Sequence, residues 1–134
     1  MKGSYLLLIE LKEDITIFVG KLGKIFFKRG FYIYVGSALN SLEQRINRHL
    51  RENKKKHWHI DYFLDFAEVI DVLYKEGETR AECFIAGILD KQLVAIYGFG
   101  CSDCRCESHL FYGSYEKITK VVEDLQMMQY IIKN

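Results

Sequence analysis

The segment YIYVGSALNSLEQRINRHL, residues 32–50, decides the fold because it joins a strand to a charged helix through a very short turn. It opens on aromatic and β-branched residues, which favour a strand, and Gly36 ends that strand. Asn40 and Ser41 are both good helix N-caps, and Glu43 follows Asn40 at the capping-box spacing. The segment therefore predicts a strand, a turn and a helix in immediate succession.

The predicted helix has an apolar stripe at four-residue spacing, made by Leu42, Ile46 and Leu50. At 100° per residue, Arg45 and His49 flank this stripe on one side, whereas Arg51 faces nearly opposite. Arg45 is therefore expected at the rim of the buried face, where a cation is held beside the end of a strand.

Outside this segment, composition indicates one folded domain over residues 1–134. Apolar residues make up 49% of the 134 residues, and proline is absent, which excludes a proline-rich linker. No apolar run approaches the ~18 residues that span a bilayer. The N-terminal apolar run is short and soon meets Lys12, Glu13 and Asp14, unlike a signal peptide. We therefore expect a cytoplasmic protein with no membrane segment.

The remaining pattern alternates strands and helices. Strands are expected over 3–11, 31–36, 68–75, 93–100 and 110–113, with a β-hairpin over 14–29. Helices are expected as a short one within 55–66, a second one capped by Thr79, and a terminal one over 114–134. This order predicts an α+β (mixed α/β) fold, with a small, mostly antiparallel central sheet flanked by helices.

Two tripeptides at strands, GSY (3–5) and YVG (34–36), resemble the two halves of the signature of the GIY-YIG nucleases. In that family an arginine follows on a helix, often with a histidine four residues later, as Arg45 and His49 do here. The segments HWHIDYFL (57–64) and GFGCSDCRCESHLFY (98–112) are similar to an uncharacterised branch of that superfamily. This branch is known only as a domain of unknown function, sometimes fused to DNA-repair glycosylases.

The resemblance implies a GIY-YIG-like fold in which the hairpin is an insertion between the two tripeptides. It also implies an endonuclease that hydrolyses phosphodiester bonds with Mg²⁺ or Mn²⁺. The catalytic residues carried over are Tyr5, Tyr34, Arg45, His49 and Glu82. Glu82 would hold the metal, Arg45 would clamp the scissile phosphate, and the two tyrosines would orient or deprotonate the attacking water.

Each of these residues also has a purely structural interpretation. Tyrosine is common in strands, and an arginine on a helix is often only solvated. Glu82 lies three residues after Thr79 and fits the third position of a capping box, which leaves Glu78 as the next metal ligand to consider.

A basic cluster follows the first helix, although the net charge of the chain is only +1. Its nucleic-acid-binding candidates are Arg48, Arg51, Lys54, Lys55, Lys56 and His57. Such a cluster binds phosphates without reading sequence, so nicked, branched or damaged DNA is the expected partner. DNA-repair proteins are further expected partners, and the oligomeric state is left open. The alternative is a solvated loop.

A cysteine-rich loop offers Cys101, Cys104, Cys106 and His109, a ligand set that Zn²⁺ accepts. The C-x-C spacing is tighter than the usual knuckle, so His57 or His59 could complete such a site. The alternative is a hydrogen-bonded turn whose cysteines are buried as small apolar residues. Three functions are therefore open: a DNA endonuclease, a non-catalytic nucleic-acid-binding module, and a zinc-containing structural or interaction domain.

Overall fold

A computed structural model describes residues 1–77, 81–101 and 106–132. Its strands are β1 (Gly3–Leu11), β2 (Ile15–Phe18), β3 (Lys24–Phe27), β4 (Gly30–Ala38), β5 (Glu68–Glu76), β6 (Val94–Ala95), β7 (Leu110–Gly113) and β8 (Met128–Gln129). Its α-helices are α1 (Leu42–Leu50), α2 (His59–Phe63), α3 (Glu82–Asp90) and α4 (Tyr115–Leu125). A single 3₁₀ turn, Gly20–Leu22, connects β2 to β3.

Within those ranges the main sheet has the strand order β6-β7-β4-β1-β5-β8, and each neighbouring pair is antiparallel. Strands β2 and β3 pair only with each other and form the hairpin between β1 and β4. The α+β class, the antiparallel sheet and the hairpin over 14–29 are therefore confirmed.

Strand β1 is the centre of the sheet and is buried on both faces, as its continuous apolar run predicts. Tyr5, Leu7 and Ile9 point to the face that α1, α2 and the hairpin cover. Leu6 and Leu8 point to the opposite face, which α3 and α4 cover. The alternation of side chains along one strand thus produces two separate cores.

The strand predicted over 93–100 is wrong for most of its length, because only Val94–Ala95 pairs with β7. Gly98 and Gly100 have φ angles of 79° and 75°, which turn the chain away from the sheet. The N–H of Phe99 donates to the carbonyl oxygen of Ile96 at 3.1 Å and closes this turn.

The terminal helix predicted over 114–134 is also too long. Helix α4 ends at Leu125 because Gln126 adopts the left-handed conformation, with a φ of 52°. The chain then pairs Met128–Gln129 with β5 at the edge of the sheet. Tyr130 and Ile132 pack on the Tyr5 face. No helix in the described ranges has both the length and the apolar character needed to cross a membrane.

One predicted helix start is confirmed and another is wrong. Of the two caps predicted for α1, Ser41 is the one used, since it accepts a hydrogen bond from the N–H of Gln44 at 3.2 Å. Ala81 is the N-cap of α3, so Glu82 is its first residue and not the third residue of a capping box. The predicted cap, Thr79, lies outside the described residues, as does Glu78.

Candidate functional site

The pairing of the two central strands brings Tyr5 and Tyr34 together. The register of β1 and β4 sets Tyr5 opposite Gly36, and the Tyr5 ring lies directly over this glycine. Any β-carbon at position 36 would overlap that ring. Because Tyr34 lies two residues before Gly36, it points to the same face of the sheet. The two phenols are 1% and 7% exposed.

His49 reaches this pair from α1 and is also buried. Its Nε2 lies 2.6 Å from the Tyr5 hydroxyl, and its ring centroid lies 6.0 Å from that of Tyr34. The sequence predicted His49 on the flank of the helix, but it shares the buried face with Leu42 and Ile46. His49 lies three residues after Ile46, and residues three apart share one face of a helix just as residues four apart do.

Arg45 and His49 both act on the Tyr5 hydroxyl. The Arg45 guanidinium favours the ionised phenol and so opposes the increase in the pKa of Tyr5 that burial causes. Burial lowers the pKa of His49 to about 3, so its ring is neutral and Nε2 can accept the Tyr5 proton. Nδ1 of His49 is buried and has no hydrogen-bond partner among the described residues.

Burial determines the protonation of both tyrosines. It raises the pKa of Tyr5 and of Tyr34 well above the usual value for tyrosine. The Glu82 carboxylate raises both values further, and the Arg45 guanidinium opposes the increase. Both phenols therefore keep their protons near neutral pH, and additional positive charge beside them would favour ionisation.

Arg45 is held in place from two sides. Its Nη1 donates to the carbonyl oxygen of Ser37, the residue after Gly36, at 3.0 Å. Its Cζ lies 4.5 Å from the centre of the Trp58 ring system, within the range of a cation–π contact. The cation expected beside the end of the strand is thus present, with a guanidinium of restricted orientation.

Arg48 has a structural role that sequence analysis missed. It forms a two-pronged pair with the fully buried Asp61, with both N–O distances 2.9 Å, and its Cζ lies 4.3 Å from the Trp58 ring. Asp61 also accepts from the backbone N–H groups of His57 and Trp58. Burial alone would raise the pKa of Asp61, but the hydrogen bonds from Arg48, Trp58 and His57 lower it overall.

The other predicted phosphate-binding residues differ in their contacts with the rest of the protein and in their exposure. Lys54 donates to the carbonyl oxygens of His49 and Arg51 at the end of α1, and Lys56 pairs with Asp65 at 2.9 Å. The exposed members of the cluster are Arg51, Lys55 and His57. These three side chains are therefore the members of the cluster most accessible to a ligand.

Glu82 enters the site from the opposite layer of the fold. It is the first residue of α3 and is half-buried. Its carboxylate is close enough to act on the pKa of Tyr5, of Tyr34 and of His109. Glu82 is therefore not the third residue of a capping box, and its carboxylate affects the pKa of two phenols and one imidazole.

A second group of polar side chains lies next to Glu82. Cys83, Cys106 and His109 place two sulfur atoms and one imidazole nitrogen within 4.8 Å of one another. This Cys-Cys-His group could hold a metal ion. Cys101 lies outside the group, with its Sγ 3.5 Å from the carbonyl oxygen of Phe99, and Cys104 lies outside the described residues.

Sequence analysis missed Cys83 because it is far from the loop in the chain. The cysteine count could have indicated it, because the chain has four cysteines and Cys83 is the one outside the loop. The histidines near Trp58 do not belong to the group. His59 accepts through Nδ1 from the N–H of Gly100 at 2.8 Å and so fixes the turn after β6.

The fold and site define a small α+β domain with a buried Tyr-His pair, a stacked arginine and a half-buried glutamate beside a Cys-Cys-His group. A family model described as "Domain of unknown function DUF123" matches residues 4–130. The chain belongs to this family. No curated protein and no solved structure matches the chain.

Proposed function

We propose that this protein is a divalent-metal-dependent endonuclease that hydrolyses phosphodiester bonds in branched, nicked or damaged DNA. The observation that carries the proposal is the meeting of side chains from β1, β4, α1 and α3, which are Tyr5, Tyr34, Arg45, His49 and Glu82. These are the residues that match the GIY-YIG signature. Chemistry-bearing residues that are distant in sequence and converge with perturbed pKa values are typical of active sites.

Arg45 is the residue that binds the scissile phosphate. One of its nitrogen atoms donates to Ser37 and its plane stacks on Trp58, so the orientation of the guanidinium is set before substrate arrives. A planar fork of donors matches the oxygens of a phosphate and stabilises the charge that develops on them.

Glu82 is the residue that would hold Mg²⁺ or Mn²⁺. The donor set fits such an ion, because a single half-buried carboxylate beside two phenols offers hard oxygen ligands. Mg²⁺ typically takes one or two carboxylates and completes its coordination with water and phosphate oxygens. When bound, such an ion lowers the pKa of water or stabilises the leaving oxygen.

Tyr5, Tyr34 and His49 handle the proton of the attacking water. Tyr34 orients the water, and the Tyr5 hydroxyl is hydrogen-bonded to a neutral His49 that can accept a proton at Nε2. Because burial keeps the phenols protonated in the free protein, we expect this proton transfer only when substrate and cation are both bound.

A separate metal, Zn²⁺, belongs to the Cys-Cys-His group in this proposal. Thiolate sulfur and imidazole nitrogen are the ligands that zinc prefers, whereas Mg²⁺ prefers oxygen. Zn²⁺ is therefore expected at the Cys-Cys-His group, and Mg²⁺ or Mn²⁺ at Glu82.

The test is a cleavage assay on nicked, branched and supercoiled DNA with Mg²⁺ or Mn²⁺, repeated after addition of a chelator. We expect cleavage that the chelator stops and that Arg45→Ala and Glu82→Gln abolish. Glu116→Gln is the matched control, since Glu116 is an exposed glutamate in the first turn of α4. All variants are purified identically, so a contaminating nuclease would cut in every sample.

Two results would contradict the proposal. DNA bound but never cut, with Arg45→Ala and Glu82→Gln behaving as wild type, would favour a non-catalytic nucleic-acid-binding module. A protein that contains zinc and neither binds nor cuts DNA would favour the structural or interaction domain, which the Cys-Cys-His group makes the second candidate.

A further inference from the structure

Glu82 and its neighbour Cys83 belong to two chemically different groups. The Glu82 carboxylate raises the pKa of both buried phenols and of His109. The next residue, Cys83, belongs to the Cys-Cys-His group. Glu82 and Cys83, which are consecutive in the first turn of α3, therefore belong to two different candidate metal sites.

The first turn of α3 carries Glu82 and Cys83 side by side. Its N-cap is Ala81, which provides no side-chain hydrogen bond to the helix. The residues that bury this helix against the sheet, Ile85, Ala86 and Leu89, begin only one turn later. Because Glu82 and Cys83 are adjacent, a metal ion bound to Cys83 would restrain the backbone that carries Glu82.

One partner of Cys83, His109, is anchored to the sheet through its backbone. His109 accepts through its carbonyl oxygen from Val35 at 3.0 Å, and its N–H donates to Phe99 at 2.8 Å. The Ser108 hydroxyl donates to the carbonyl oxygen of Leu110 at 2.7 Å and accepts from the N–H of Leu110 at 2.9 Å. The imidazole is thus attached to the strand β7 side of the sheet, next to β4.

The separation of Cys83 and His109 is close to that of two ligands of a tetrahedral zinc ion. Zn–S bonds of ~2.3 Å and Zn–N bonds of ~2.0 Å at tetrahedral angles require ligand atoms roughly 3.5–3.8 Å apart. Cys83 Sγ lies 3.9 Å from His109 Nε2. A cavity of about 330 Å³, lined by both Cys83 and Cys106, leaves room for water as the fourth ligand.

We propose that one Zn²⁺ bound by Cys83, Cys106 and His109 ties the first turn of α3 to the sheet and so places Glu82 beside Tyr34. Zinc occupancy then controls how tightly Glu82 holds Mg²⁺ or Mn²⁺. The role given to Glu82 rests on the proposed function, whereas the zinc site does not.

The experiment measures the two metals separately on the intact chain. Zinc content is determined by elemental analysis of wild type, Cys83→Ser, Cys106→Ser and the control Cys101→Ser. Mn²⁺ affinity is measured by electron paramagnetic resonance on each protein, and on wild type stripped of zinc and dialysed free of chelator. Glu82→Gln identifies the Mn²⁺ signal that belongs to this residue.

We expect one zinc per wild-type and Cys101→Ser chain and its loss from the other two variants. Loss of zinc should weaken Mn²⁺ binding roughly 10- to 100-fold, the usual effect of removing the support of a metal ligand. Cobalt substitution provides a check that does not require a folded variant, since thiolate-to-cobalt charge-transfer bands in the wild type report sulfur ligation directly.

Absence of zinc and of cobalt–thiolate bands would overturn the zinc site. Equal Mn²⁺ affinity with and without zinc would overturn the coupling while leaving the nuclease proposal in place. If instead the two metals are coupled but no DNA substrate is cut, the proposed function fails and the inference about the metals remains.

Discussion

Gly36 is the residue in the site with the strictest steric requirement, because the Tyr5 ring occupies the space of its missing side chain. We predict that Gly36→Ala lowers the free energy of unfolding by about 1–3 kcal/mol, the usual cost of overpacking, and displaces Tyr5 from His49. Urea unfolding and the DNA cleavage rate measure the two effects.

Gly87→Ala is the matched control for Gly36→Ala. A β-carbon at position 87 meets no atom within 4 Å, and Gly87 lies inside α3. The gain in helix propensity should therefore stabilise the fold by about 0.5–1 kcal/mol. A Gly36→Ala variant as stable as Gly87→Ala would show that the Tyr5 ring does not need this glycine.

Removing only the hydroxyl of Tyr5 tests its hydrogen bond separately from the packing of its ring. We predict that Tyr5→Phe abolishes cleavage and costs about 1–3 kcal/mol of stability, because it leaves His49 Nε2 buried without a partner. Tyr32→Phe is the control, since Tyr32 is equally buried but its hydroxyl donates only to the Lys28 carbonyl oxygen. It should cost about 1 kcal/mol and leave cleavage intact. Cleavage by Tyr5→Phe at the wild-type rate would remove the phenol from the mechanism.

His49 should make stability depend on pH. Burial lowers its pKa to about 3, whereas the unfolded chain has the ordinary value of 6.5. Its contribution is therefore complete above pH 6.5 and is lost as pH falls from there toward 3, with a slope approaching about 1.4 kcal/mol per pH unit.

His59 and His109, whose pKa values burial also lowers, add to this slope in the same direction. The specific prediction is therefore that His49→Gln flattens the slope, while the exposed His57→Gln leaves it unchanged. Urea unfolding at a series of pH values gives the measurement. Identical slopes in wild type and His49→Gln would mean that His49 titrates normally in the fold.

At the scale of elements, α1 and α2 are joined by the ion pair between Arg48 and Asp61. Asp61 is fully buried, and its loss would leave Arg48 and the N–H groups of His57 and Trp58 without their acceptor. We predict that Asp61→Ala costs about 3–5 kcal/mol, as breaking a buried pair does. It should also weaken cleavage, because Trp58 carries the stacked Arg45.

The exposed pair between Lys56 and Asp65 supplies the control for this element contact. Both side chains of that pair are about one-third exposed or more, so Asp65→Ala should cost less than about 1 kcal/mol. Thermal unfolding followed by circular dichroism compares the two variants. Equal losses would mean that the buried pair contributes no more than a surface one.

At the scale of the whole molecule, the DNA binding that we propose has to come from a local charge cluster, since the net charge is only +1. We predict that Arg51→Ala and Lys55→Ala each weaken DNA binding and each reduce the slope of log affinity against log salt by roughly one. Exposed Lys120→Ala on α4 should change neither. Fluorescence anisotropy over a salt series makes the measurement, and unchanged slopes would place DNA elsewhere on the surface.

Sequence patterns predicted well those elements in which the buried residues follow the local spacing of apolar residues. Strand β1 and the β2–β3 hairpin show their apolar runs directly. The end of α4 was not predictable in this way, because the residues after Gln126 are apolar enough to continue a helix. They form an edge strand instead, since pairing with β5 satisfies their backbone and packs Tyr130 on the Tyr5 face.

By itself, the sequence determined the α+β class, the order strand–turn–helix in residues 32–50 and the placing of Arg45 beside a strand end, because these follow from local periodicity and capping. The predicted end of the strand at Gly36 was wrong, since β4 continues to Ala38 and Gly36 pairs with Tyr5 inside the sheet. Only the tertiary structure decided that His49 is buried against Tyr5, that Arg48 binds Asp61 and that Cys83 joins Cys106 and His109. Such contacts depend on strand register and on how layers pack, and a local pattern carries no information about which distant residues then meet.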